Sequence, residues 1–156
     1  MKIKTVSTAT RVIQAPADQV YRIIADYRDL HPRILPKGYF LSLNVEEGRY
    51  GAGTIVSFTM RIMGRTQSFR SLITEPEPGR LLVETDIRSE TPTSFQVLPA
   101  GDLSTTRVTI STELKGRNRV EALLAKPVLE KIYRQELELL ARLAEDQAAA
   151  QSLAPR

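Results

Sequence analysis

The feature that most limits the fold of this chain is a change of period along it. From Gly38 to Leu114 apolar residues recur at every second position, and beyond Gly116 they recur at helical spacing. A period of two gives each strand one dry and one wet face, as in an antiparallel sheet packed on one side. Val56, Phe58, Met60 and Ile62 alternate in this way with Ser57, Thr59 and Arg61. Tyr39 to Val45 reads as the strand before them, residues 67 to 75 as the strand after, and Leu81 to Arg88 as the next. Phe95 and Val97 mark a sixth strand and Val108, Ile110, Thr112 and Leu114 a seventh. The connections are short: Gly64-Arg65, Glu77-Pro78-Gly79 and Pro99-Ala100-Gly101-Asp102. Turns of this length join antiparallel neighbours, so residues 38 to 114 form a meander.

Two segments flank the meander. Residues 3 to 14 mix Ile, Val and Thr as a first strand would. Pro16 and Asp18 then suit a helix start, and Val20, Ile23, Ile24 and Tyr27 supply one apolar face. His31-Pro32 breaks that helix, leaving room for one more short helical turn before Pro36. At the other end Asn118 and Glu121 form a capping-box-like start for a helix from about residue 118 to 147. Its stripe of Val120, Leu123, Leu124, Val128, Leu129, Ile132, Leu137, Leu140 and Leu143 is broad enough to be covered along its length. Pro127 lies within it and predicts a bend. Residues 148 to 156 lack periodicity and are expected to fray. With 156 residues and no repeat, residues 1–147 read as a single α+β domain.

The order strand, two short helices, six strands and long helix resembles the helix-grip fold of the START-like superfamily, also called SRPBCC. The resemblance rests on Ile13 to Val20, on Ala25-Asp26-Tyr27 through Ile34-Leu35-Pro36, on Gly51-Ala52-Gly53, and on Glu75 to Leu81. The chain looks closest to the polyketide cyclase/dehydrase-like branch, and Asp26 to Pro36 is also similar to coenzyme-Q-binding relatives. The resemblance implies a seven-stranded curved sheet wrapped around the C-terminal helix, with an apolar cavity between them.

Composition removes several chemistries. The absence of cysteine excludes disulfides, thiolate catalysis and thiolate-bound metal. One histidine, His31, rules out a multi-histidine metal site, and no calcium loop is visible. No nucleophile elbow accompanies His31, which reads as a surface or cavity-mouth residue rather than a catalytic one. Gly48 to Gly53 lacks the lysine and hydroxyl residue of a phosphate loop and reads as a flexible hairpin at the cavity rim. The net charge of +4 comes from the first half, where residues 1–70 carry 11 basic and 5 acidic groups, but these are scattered. Scattered charge describes a solvated surface and argues against nucleic acid. No run reaches the roughly 20 apolar residues of a membrane span, and the start of the chain lacks a secretory core. A cytoplasmic location is expected, with room for a homodimer.

Read alone, the apolar residues of the dry faces are packed core. The family resemblance makes them candidate cavity lining: Phe58, Met60, Ile62, Phe69, Val83, Thr85, Phe95, Val97, Val108, Ile110, Leu124 and Val128. By alternation Arg61 and Asp86 face water. Strand four has two phases, with either Phe69 or Arg70 inward, and the first is favoured. Tyr27 and Arg70 are candidate polar anchors that could orient a carbonyl without metal or cofactor. The expected function is noncatalytic binding or transport of a small hydrophobic ligand such as a lipid, isoprenoid, quinone or polyketide. The alternatives are a metal-independent cyclase, aromatase or dehydratase using the same cavity, and a protein-interaction or regulatory module.

Overall fold

The computed structural model describes residues 5–114 and 119–153. Strand β1 (Thr5–Ile13) leads into helix α1 (Ala17–Ala25) and a 3₁₀ helix over His31–Ile34. Six strands follow: β2 (Phe40–Glu47), β3 (Ile55–Ile62), β4 (Arg65–Glu77), β5 (Leu81–Asp86), β6 (Pro92–Ala100) and β7 (Asp102–Leu114). Helix α2 (Arg119–Leu153) is the last element. Strands β2 to β7 pair in sequence, and β1 adds antiparallel to β7, giving one sheet in the order β1-β7-β6-β5-β4-β3-β2. This is the helix-grip architecture. Helix α2 continues to Leu153, so residues 148–153 are helical where fraying was expected. The expected cap at Asn118 lies outside the described residues.

Residues directly opposed on paired strands share a face of the sheet. Phe58 opposes Phe69, Ile73 opposes Glu84, and Phe95 opposes both Leu82 and Ile110. These pairs fix which face of each strand is concave. Strand β4 is set with Phe69, Ser71 and Ile73 inward, and Arg70 outward in an ion pair with Glu46 at 2.5 Å. Strand β5 takes the phase opposite to the expected one. Its inward residues are Leu82, Glu84 and Asp86, because they oppose Phe95, Ile73 and Ser71. With leucines at both 81 and 82, β5 has no clean alternation of its own, and its neighbours decide.

The dry core occupies one end of the concave face. There α1 and the C-terminal two thirds of α2 cover β1, β6 and β7, burying Ile13, Ile23, Val97, Val108, Ile132, Leu137 and Leu140. Each such side chain contributes about 1.5–3 kcal/mol relative to exposure. The turn after β2 is anchored to this end rather than flexible at a rim. The amides of Gly51 and Gly53 donate to the carbonyls of Ala25 and Ile73, and the Ala52 amide donates to Glu75 at 2.7 Å. Glu75 also accepts from the Tyr21 hydroxyl. Gly51 has a φ of +62°, which favours glycine, and a Cβ there would push aside the Glu75 carboxyl that holds the Ala52 amide.

Candidate functional site

At the other end the sheet stands away from α2 and leaves a cavity of about 630 Å³. Phe58, Met60 and Ile62 of β3, Phe69 of β4, and Leu124 and Leu129 of α2 form its apolar wall. Met63 and Gly64 make the two-residue β3–β4 turn with both φ angles positive, at 50° and 75°. This hairpin conformation matches the twist of the strands and holds the exposed Met63 at the cavity edge. Behind the cavity lies a chamber of about 70 Å³ reaching His31, Leu35, Phe95 and Glu136. Phe58, Met60, Glu84, Thr93, Leu129 and Tyr133 line both spaces.

Ionisable groups converge on the inner chamber from four elements. Glu84 comes from β5, Tyr133 and Glu136 from one face of α2, His31 from the 3₁₀ helix, and Tyr27 from the segment after α1. The Tyr27 hydroxyl donates to Glu84 Oε1 at 2.6 Å. Tyr27 also stacks on His31 with ring centroids 4.3 Å apart, which fixes the imidazole plane. His31 Nδ1 lies 2.6 Å from the Ile24 carbonyl oxygen, which can only accept, so Nδ1 carries the hydrogen. Nε2 is left facing Glu84 Oε1 at 3.6 Å, beyond hydrogen-bond range. On the opposite wall the Tyr133 hydroxyl bonds Thr112, which bonds Thr93 at 2.7 Å. Glu136 is 3% exposed, and its carboxyl has no hydrogen-bond partner among the described residues.

Burial sets the protonation of this cluster. Loss of solvation, followed by the charge of Glu84, raises the Glu136 carboxyl well above its ordinary value, which favours its protonated form. Tyr133 is pushed up to about 12, chiefly by burial and against the pull of its bond to Thr112. Tyr27 is raised by burial and then by Glu84. His31 is lowered because burial outweighs the attraction of Glu84, which keeps the imidazole neutral. Farther out, burial works to raise Asp86, but bonds from the Ser89 hydroxyl and amide and the Arg70 amide hold it below its usual range. The chamber therefore offers acceptors at Glu84, which already receives the Tyr27 hydroxyl, and at His31 Nε2, and a donor at Glu136, while the Tyr133 hydroxyl is shared with Thr112. Such a set can hydrogen-bond a polar head or move a proton. Among the described residues no three His, Cys, Asp or Glu side chains are grouped as metal ligands.

Of the candidate lining residues, the structure places Phe58, Met60, Ile62, Phe69, Phe95 and Leu124 along one or both spaces. Val83 and Thr85 line neither space, because β5 is in the other phase and places Glu84 and Asp86 there. Asp86 is thus not solvent-facing in the way alternation suggested, whereas Arg61 is exposed. Val97, Val108 and Ile110 are packed core under α1 and α2, and Val128 yields its place to Leu129. Arg70 is outside, and Tyr27 acts through Glu84 from behind the wall. His31 is neither at the surface nor at the mouth but 2% exposed in the inner chamber. Glu84, Glu136 and Tyr133 went unselected. The signal for the α2 pair is an acid and a tyrosine on the same stripe as Leu129, Ile132 and Leu140.

A cavity between a curved sheet and a gripping helix, with one polar end, defines a class of hydrophobic-ligand-binding folds. The chain belongs to the family described as polyketide cyclase / dehydrase and lipid transport, whose profile matches residues 4–145. Among solved structures it is similar to the KanY protein, with 24% identity, a TM-score of 0.81, and 92% of this chain and 99% of that one covered. It is similar to a START superfamily protein from Mycobacterium smegmatis at 16% identity and a TM-score of 0.65, covering 94% of this chain and 98% of that one. The di-domain ARO/CYC BexL from the BE-7585A biosynthetic pathway matches at 18% identity and a TM-score of 0.67, over 88% of this chain and 45% of that one. At these identities the likeness is one of fold. No curated protein matches the chain. Among the described residues no helix is long and apolar enough to cross a membrane.

Proposed function

We propose that this protein binds a small apolar molecule, of lipid, isoprenoid, quinone or polyketide type, in the cavity between β3–β5 and α2. The observation that carries this reading is the cavity of about 630 Å³ with its wall of phenylalanine, methionine and leucine. That size suits a ligand of drug or short-lipid dimensions, and apolar walls with a few convergent polar groups are the usual makeup of such sites. Native mass spectrometry of the purified protein, before and after organic extraction, tests it. A copurifying or exchangeable hydrophobic ligand supports the reading, and a protein that takes up none from a panel of such molecules removes it.

One observation favours a second reading, in which the protein is an enzyme. Ionisable side chains do converge in the cavity, at Glu84, Glu136, Tyr133 and His31. Glu84 or His31 Nε2 would take a proton beside a carbonyl, and the Glu136 or Tyr133 hydroxyl would hydrogen-bond the developing oxyanion. A cyclisation or dehydration would then follow without metal. Turnover of a poly-β-ketone substrate that is lost in Glu84→Gln supports this reading, and unaltered substrate recovered after long incubation counts against it.

A further inference from the structure

The inner chamber has a hydrogen-bonding pattern that narrows the class of ligand, an inference that rests on the binding reading above. Glu136 is a buried carboxyl without a partner, aimed into a space of about 70 Å³. A ligand group that pairs with it takes the place of water there, and the gain is the surplus of the new hydrogen bond over the one to water. The same space is lined by Glu84 and by His31, whose Nδ1 hydrogen is already committed to the Ile24 carbonyl. These two offer lone pairs. A space this small holds only a few heavy atoms beyond a water or two, so one head group meets both sides.

We propose that the inner chamber seats a neutral hydroxyl head, an alcohol or phenol, on a ligand whose apolar body fills the outer cavity. The hydroxyl oxygen accepts from Glu136 while its hydrogen is donated to Glu84 or His31 Nε2. Other heads satisfy only part of the set. An aldehyde or ketone accepts from Glu136 but leaves the lone pairs of Glu84 and His31 without a donor. A carboxylate has no hydrogen to donate to Glu84 or His31. An ammonium donates to Glu84 but has nothing to accept the Glu136 hydrogen. Among the described residues lining the inner chamber there is no lysine or arginine, and the outer cavity sets Arg65 alone against Glu84, Asp86 and Glu121. The groups facing Glu136 are Glu84 from β5, His31 from the 3₁₀ helix, Tyr27 behind Glu84, and Tyr133 one turn earlier on α2.

Displacement of the neutral fluorophore N-phenylnaphthylamine by decanol, decanal, decanoate and decylamine at neutral pH tests this, since the four share a chain and differ in the head. Decanol is expected to displace the probe at a concentration on the order of tenfold below the other three. In Glu136→Leu that advantage collapses to within about threefold, and in Glu136→Gln, which keeps a donor and an acceptor, it survives. Circular dichroism and thermal melting verify that both variants are folded. Equal displacement by all four heads overturns the hydroxyl assignment and leaves apolar binding intact. Preference for decylamine or decanoate overturns it in favour of a charged head, and retention of the decanol preference in Glu136→Leu overturns the role of Glu136. A probe and four decyl compounds that all fail to bind remove the binding reading, and this inference with it.

Discussion

The two ends of α2 are built from similar residues and do different work. Before Pro127, Val120, Leu123 and Leu124 are each about 60% exposed. After it, Ile132, Leu137, Leu140 and Ala144 are almost completely buried against β1, α1 and the 3₁₀ helix. Both ends carry the same kind of apolar stripe, and the difference lies in what faces it. Helix α1 fills the concave sheet at one end, and among the described residues nothing comparable fills it at the other. Packed core and open cavity are therefore separated along a single helix, with Tyr133 and Glu136 at the boundary.

That separation can be broken at its sealed end with the largest effect. Leu140→Ala leaves a cavity in close-packed core and should lower unfolding free energy by about 2–5 kcal/mol in urea denaturation. Next comes the boundary itself. The native state keeps a proton on Glu136 that the unfolded chain releases above about pH 4.5, so its contribution is complete at low pH and lost as pH rises towards the raised value. From about pH 4.5 upwards the wild type should lose stability relative to Glu136→Gln, with a slope of at most about 1.4 kcal/mol per pH unit. A parallel pH dependence in the two proteins would show that Glu136 is ionised in the fold.

His31 works in the other direction. Its lowered value means that the unfolded chain binds a proton below about pH 6.5 while the native state resists it. Its contribution is complete above that pH and fades as pH falls, so thermal melts of His31→Asn should show a shallower acid decline than the wild type. At the open end, Leu124→Ala should shift stability by less than about 1 kcal/mol, because the side chain is largely exposed. It should nevertheless weaken N-phenylnaphthylamine binding several-fold, corresponding to about 1 kcal/mol of lost apolar contact. The smallest effect belongs to Arg70→Ala, on the convex face in an exposed pair with Glu46, which should leave both melting temperature and affinity unchanged.

The same contrast explains what could be read from the sequence. Strand and helix order follow from local periodicity, and seven strands, α1 and α2 were legible because each run states its own period. The inward face of β3 was legible for the same reason, since Val56 to Ile62 alternate without exception. The β5 face was not, because Glu84 is turned inward by its cross-strand partners Ile73 and Thr93 rather than by anything within β5. His31 was misplaced because its burial depends on Tyr27 stacking on it and Phe95 meeting it edge-on, contacts that spacing along the chain does not announce. Polar residues turned inward break the alternation rule where a site needs them. The breach at Glu136, an acid on an apolar helix stripe, was the most visible of these.

Pro127 gives the division a mechanical side. It has no N–H to offer the carbonyl of Leu123, so α2 lacks one rung of its ladder just where the exposed turns meet the buried ones. Elsewhere, bending this helix would break a backbone hydrogen bond; here that rung is already missing. A tilt of the amino-terminal turns would therefore cost less here than elsewhere along the helix, with Ile132 to Ala144 still buried. For the binding proposed above, ligand exchange would then need a swing of this wall and no unfolding of the core, which would separate the rate of exchange from the lifetime of the fold.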